Sequence, residues 1–221
     1  MKIKKIKIVR RKKEITVALI YRPITDYLTN ILVRTKINPN SITSFSIIMG
    51  LISGIFFGFG EKPYLFLGVI FSQVALILDL VDGEIARTKK MTSEFGAWYD
   101  MIANKIFKYF MFLGAMIGAY RISNDPSILI VGSIAIFNIT IISYISNLRV
   151  SFNFSKNYSE LPEIKGLTIP FGLLVIIILD IFAIFNKVSF ALWFFAIFGT
   201  FGWIKQIYSH YKLGNPIKIK G

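Results

Sequence analysis

Leu78-Asp79-Leu80-Val81-Asp82-Gly83-Glu84-Ile85-Ala86-Arg87 closes one apolar run of the chain, and Gly96-Ala97-Trp98-Tyr99-Asp100-Met101-Ile102-Ala103-Asn104 opens the next. The first run reaches back to Tyr64 and the second forward to Tyr120. Each is long enough to cross a bilayer, which takes roughly 20 helical residues. An ionisable side chain placed there costs about 2.5–3.5 kcal/mol even on a mild insertion scale, so several together require compensation. A bound cation is the simplest compensation.

Outward from this segment the chain keeps the same character. Of 221 residues, 54% are hydrophobic and only 17% charged, against about 45–50% and 25% in an ordinary soluble domain. Apolar runs at 42–60, 64–86, 96–120, 127–148, 168–186 and 188–208 predict six membrane spans, hence an all-α membrane protein. In the first span Gly50, Gly54 and Gly58 recur at every fourth position, leaving one face nearly bare for close approach of another helix, within the chain rather than across a dimer.

The net charge of +14 would ordinarily suggest nucleic acid, but its placement argues against that. Eleven basic residues lie between Lys2 and Lys36, and most others fall on alternate flanks of the spans, with only Lys62, Arg121 and Lys187 on the opposite flanks. The positive-inside rule then puts both termini in the cytoplasm, with anionic headgroups as the natural partners of the charge. The start does not read as a cleavable signal, because the apolar run around Ile15–Tyr21 is short and no small-residue cleavage site follows. From Glu14 to Arg34 apolar residues recur at helical spacing among charged ones, predicting an amphipathic interfacial helix on the cytoplasmic face, broken near Pro23. The domain organisation expected is a basic N-terminus with this juxtamembrane helix over 1–41 and a six-helix transmembrane domain over 42–221.

With no cysteine and a single histidine, His210, thiolate and histidine-rich metal sites are excluded. Any metal must be held by oxygen. At 100° per residue Asp79, Asp82, Gly83 and Ala86 share an arc of roughly 100°. Asp100 and Asn104 lie one turn apart, with Gly96 a turn before them. The short loop makes the two spans antiparallel neighbours, so the three carboxylates converge near the cytoplasmic boundary. Such a set suits a hard divalent ion, Mg²⁺, Mn²⁺ or Ca²⁺, and Mg²⁺ commonly adds the phosphate oxygens of a substrate. Gly83 and Ala86 leave room for a bulky ligand against the helix, and Arg87 brings a planar fork suited to phosphate.

The pattern D-x2-D-G-x2-A-R-x8-G-x3-D-x3-N, from Asp79 to Asn104, resembles the signature of the CDP-alcohol phosphotransferases, whose pattern ends in a fourth Asp. The resemblance extends over about residues 22–120 and includes the Asn38-Pro39-Asn40 turn before the first span. It implies a six-helix fold, usually a homodimer, that moves a substituted phosphate from a CDP-linked alcohol to an acceptor alcohol and releases CMP. Two divalent ions are implied at the cytoplasmic boundary, held by Asp79, Asp82 and Asp100. Gly83, Ala86, Arg87, Gly96, Pro39 and Asn40 would line the CDP pocket.

Asn104 departs from the pattern at the position credited with taking the acceptor hydroxyl's proton. An amide ligates through its oxygen but does not accept a proton at ordinary pH, which predicts slow turnover with donor and metal binding kept. Arg149, Lys165 and Lys205, at cytoplasmic span ends, are candidates for binding a phosphorylated acceptor such as inositol phosphate, and the Arg22–Thr43 stretch is most similar to members that make inositol-phosphate diesters. A non-catalytic CDP- and metal-binding scaffold of the same fold is the alternative. A cation transporter is disfavoured, because the acids cluster at one side with only Asp180 to continue a path.

Overall fold

The computed structural model describes Ile8, residues 18–151 and residues 171–213. Among these residues the regular structure is all helix: α1 (Ala18–Leu32), α2 (Pro39–Phe59), α3 (Lys62–Thr88), α4 (Glu94–Ser123), α5 (Ser127–Ser151), α6 (Phe171–Ile184) and α7 (Val188–Leu213). Five of them, α2, α3, α4, α5 and α7, are long and apolar enough to cross a membrane, while α6 is a shorter apolar helix of 14 residues. Large apolar side chains such as Phe66, Ile130, Phe190 and Phe201 point outward, a surface that suits hydrocarbon rather than water.

Local chemistry sets the helix ends that carry the site. Asn38 caps α2 by accepting a hydrogen bond from the backbone of Asn40 at 3.0 Å, with Pro39 in the first turn where its missing N–H costs nothing. Ser93 caps α4 by accepting from the Gly96 amide at 3.0 Å. α2 stops at Gly60, whose left-handed φ of 79° favours glycine.

α2 is the hub of the first three spans. It runs antiparallel to α3, with Thr43 opposite Asp82 and Ser53 opposite Gly68. It runs parallel to α4, with Gly50 against Phe107, Gly54 against Phe110 and Gly60 against Gly118. The glycine face of α2 therefore packs inside the chain, as its spacing implied, and Gly114 and Gly118 on α4 complete the seam. A Cβ on Gly114 would collide with the carbonyl of Gly54. α3 and α4, although joined by a short loop, hardly touch each other. They are antiparallel, each packed on α2.

α5 and α7 form a second parallel pair, Asn138 lying beside Gly199 and Ile142 against Gly202. Buried Asn138 donates to the carbonyl oxygens of Phe195 (3.1 Å) and Ala196 (2.8 Å) and accepts from the Trp203 indole at 3.0 Å. The main core, including Phe57, Phe107, Phe112, Leu179 and Leu192, joins the two halves.

One expectation is corrected. α1 is not broken near Pro23: the helix runs through that residue. A proline removes one i→i−4 bond, and here long-range contacts hold both sides of it. Tyr21 Oη donates to Gln73 Oε1 at 2.7 Å and Thr29 Oγ1 donates to Glu84 Oε2 at 2.8 Å, so α1 lies lengthwise along α3. Asp180, which has no evident partner in the sequence, is buried on α6. It accepts from Ser72 Oγ at 2.5 Å and Gln73 Nε2 at 2.6 Å, tying α6 to α3 and, through Gln73, to α1.

Candidate active site at the α2–α3–α4 end

Asp79 and Asp82 occupy the last turns of α3, and Asp100 and Asn104 the first turns of α4. The structure brings Asp79, Asp100 and Asn104 into contact across the two helices. The Asn104 Nδ2 group donates to Asp79 Oδ1, and to Asp100 Oδ1 at 3.0 Å. On the far side of the amide, Lys108 Nζ donates to Asn104 Oδ1 at 3.0 Å. One amide thus joins two carboxylates on different helices to an ammonium group one turn further along α4.

Asp82 is buried and takes a 2.5 Å hydrogen bond from Thr43 Oγ1 on α2. Arg87 folds back over Gly83, where a Cβ would lie 3.1 Å from its Nη1. A Cβ on Gly96 would lie 3.3 Å from Asn40 Oδ1, so the Pro39-Asn40 turn and the start of α4 share one wall. Ser44 Oγ, which donates to the Asn40 carbonyl oxygen at 3.0 Å, lies 2.8 Å from the Tyr99 hydroxyl and reinforces that wall.

Glu84 is buried against Thr29 of α1, roughly 140° around α3 from Asp79, and so faces away from the acidic cluster. Lys89 does not pair with the acids. Its ammonium donates to the carbonyl oxygens of Thr35 (2.8 Å) and Ile37 (2.9 Å), closing the α1–α2 turn against the end of α3.

The donor set is all oxygen apart from the amide, which fits a hard divalent ion in type. Among the described residues no three acidic side chains already enclose a common point. The carboxylates of Asp79 and Asp100 meet through the Asn104 amide instead.

Lys205 lies exposed on α7. The side chains of Arg149 and His210, and all of Lys165, fall outside the described residues. Two contributors escaped the sequence reading. Thr43 gave no signal of its own, being one hydroxyl among several after Pro39. Lys108 did: a lysine four residues after Asn104 on one helix face is placed to reach it.

A family model for the CDP-alcohol phosphatidyltransferases matches residues 36–205, well over half of the chain. The chain belongs to this family. The chain is also similar to curated relatives named bifunctional IPC transferase and DIPP synthase. The match to the protein of Thermococcus kodakarensis is 31% identical over 147 residues, 66% of this chain and 32% of that one. The match to the protein of Aquifex aeolicus is 35% identical over 81 residues, 37% of this chain and 18% of that one. The chain therefore aligns with less than a third of each of these relatives.

Among solved structures, the phosphatidylinositol phosphate synthase PgsA1 of Mycobacterium tuberculosis with CDP-DAG bound superposes with a TM-score of 0.70 at 19% identity, over 89% of this chain and all of that chain. The same enzyme in complex with manganese and citrate gives 0.67 at 17% identity, over 89% and 92%. At such identities the likeness concerns the fold.

Proposed function

We propose that the chain transfers a substituted phosphate from a CDP-linked alcohol to an acceptor alcohol and releases CMP, with a divalent metal as cofactor. The observation that carries this reading is the convergence of Asp79, Asp100 and Asn104 from two helices that barely touch elsewhere, within a chain of this family. Acids gathered where two apolar helices make little other contact are a poor way to pack helices and a good way to seat a diphosphate with its counter-ion.

Asp79, Asp82 and Asp100 would hold the ion, Mg²⁺ or Mn²⁺. When bound it neutralises the diphosphate and stabilises the CMP leaving group. Thr43 orients the Asp82 carboxylate. Gly83, Ala86 and Gly96 keep the pocket open to the CDP group, Arg87 holds a phosphate through its guanidinium, and Pro39 and Asn40 form the wall opposite Gly96. Asn104 orients Asp79 and Asp100 but takes no proton, so this form turns over slowly.

The acceptor proposed is a phosphorylated alcohol of the inositol-phosphate type, bound by Arg149, Lys165 and Lys205. The names of the relatives and of the structural neighbour support that class. The remaining organisation proposed is six spans over 42–221, an interfacial region over 1–41, cytoplasmic termini, an active site at the cytoplasmic boundary and a homodimer.

The test is a CMP-release assay on the full chain in lipid, with CDP-linked donors, a panel of acceptors and added Mg²⁺ or Mn²⁺. Metal-dependent release with a phosphorylated acceptor supports the proposal. Donor binding without release, in this chain and in its Asn104→Asp form, favours a non-catalytic scaffold.

A further inference from the structure

We infer that Lys108 is a resident cation of the acidic site and, with Asn104, takes the place of one divalent ion, so that this chain holds a single ion with its donor where the sequence resemblance implies two. The inference rests on the metal reading proposed above and concerns what these residues have done to it.

Lys108 lies in the apolar interior of α4, where a long side chain near a membrane boundary would ordinarily extend its head to water. Here the head is seated. Its Nζ donates to Asn104 Oδ1 at 3.0 Å and lies 5.4 Å from the centre of the Phe107 ring. On the remaining side α6 presents Gly172, where a Cβ would come within 2.6 Å of the Nζ. The ammonium thus rests against a glycine of another helix, and a side chain there would displace it. The charged groups acting on it are Asp79 and Asp100, the two carboxylates bridged by the same amide.

Charge sets the consequence. Against the four carboxylates of the pattern that the chain resembles, Asn104 removes one negative charge, and Lys108 brings one positive charge to the site. The net change of two charges equals that of one divalent ion. Orientation agrees, because the Asn104 Nδ2 hydrogens face Asp79 and Asp100. Those oxygens accept hydrogen bonds where a second ion would need them as ligands. The amide oxygen, the only atom of Asn104 able to ligate, is taken by Lys108. The two residues satisfy each other, and swapping the amide's O and N would set an ammonium against an NH₂ group.

The test counts ions. Mn²⁺ is titrated into the full chain in lipid nanodiscs at saturating CDP, with free Mn²⁺ read by its electron paramagnetic resonance signal. One bound ion per chain is expected for the unmodified protein, and two for the Asn104→Asp/Lys108→Met double variant. Lys108→Met alone should bind its ion roughly tenfold more tightly, through loss of a like charge, whereas Lys108→Arg should stay near the parent. Two ions in the unmodified chain overturn the inference alone, whatever the variants do. Unchanged affinity in a folded Lys108→Met protein also overturns it. No bound ion in any form overturns both the inference and the metal reading beneath it.

Discussion

The Asn104 Nδ2 group on α4 donates to Asp79 Oδ1 on α3, although the two helices make almost no other contact. The amide stands where the family pattern carries a carboxylate, and it acts as a clasp between two acids. A carboxylate there would repel both of them in the absence of metal and help enclose an ion in its presence.

Asn104→Asp should therefore raise metal-dependent CMP release by about 10²–10⁴-fold, the usual worth of general-base assistance. It should also make stability metal-dependent. In chelator the variant should melt below the parent, and saturating Mg²⁺ should close the gap. Parallel thermal melts and release assays check both, and equal activity in the two proteins would show that position 104 does not supply the base.

Thr43→Val keeps the shape of the side chain but removes the only hydroxyl shown holding Asp82. Leaving a buried polar group short of a partner costs about 1–3 kcal/mol. The expected result is a donor affinity weakened about tenfold or more, with Thr43→Ser close to the parent. Calorimetry with CDP and Mg²⁺ distinguishes them.

Removing the metal should abolish donor binding, because the diphosphate and the carboxylates repel each other without it. Asp79→Asn and Asp100→Asn should have the same effect in the presence of metal. Unchanged CDP binding in chelator would separate the donor site from the acidic cluster.

The α2–α4 seam yields a contrast between two glycines four residues apart. A Cβ on Gly54 would strike the Phe110 carbonyl, whereas one on Gly58 finds its nearest neighbour at 3.9 Å. Gly54→Ala should cost about 1–3 kcal/mol through forced separation of the helices. Gly58→Ala should stay within about 0.5 kcal/mol of the parent or gain slightly from helix propensity. Reversible unfolding in detergent measures both.

Asp180→Leu should destabilise the fold without touching the chemistry. It strips Gln73 Nε2 of its partner on α6, while Ser72 retains the Val69 carbonyl at 2.9 Å as an alternative acceptor. A loss of about 1–3 kcal/mol is expected, with Asp180→Asn milder because its amide oxygen still accepts. CMP release per folded molecule should be unchanged in both.

Amino-acid order alone determined whatever depends on local period and local chemistry. Apolar run lengths marked the helices, and the 100° step placed Asp79 and Asp82 on one face and Asp100 and Asn104 on another. The Gly50, Gly54 and Gly58 spacing announced a close crossing, and the missing histidine and cysteine limited any metal to oxygen ligands. Tertiary structure decided who meets whom, because side chains far apart in sequence find each other only when whole helices pack. It put α2 between α3 and α4, carried α1 unbroken through Pro23 along α3, and gave Asp180 its partners. It also turned the Asn104 amide toward two carboxylates on one side and Lys108 on the other. That last arrangement depends on how α3 and α4 are both packed against α2, which a helical period does not encode.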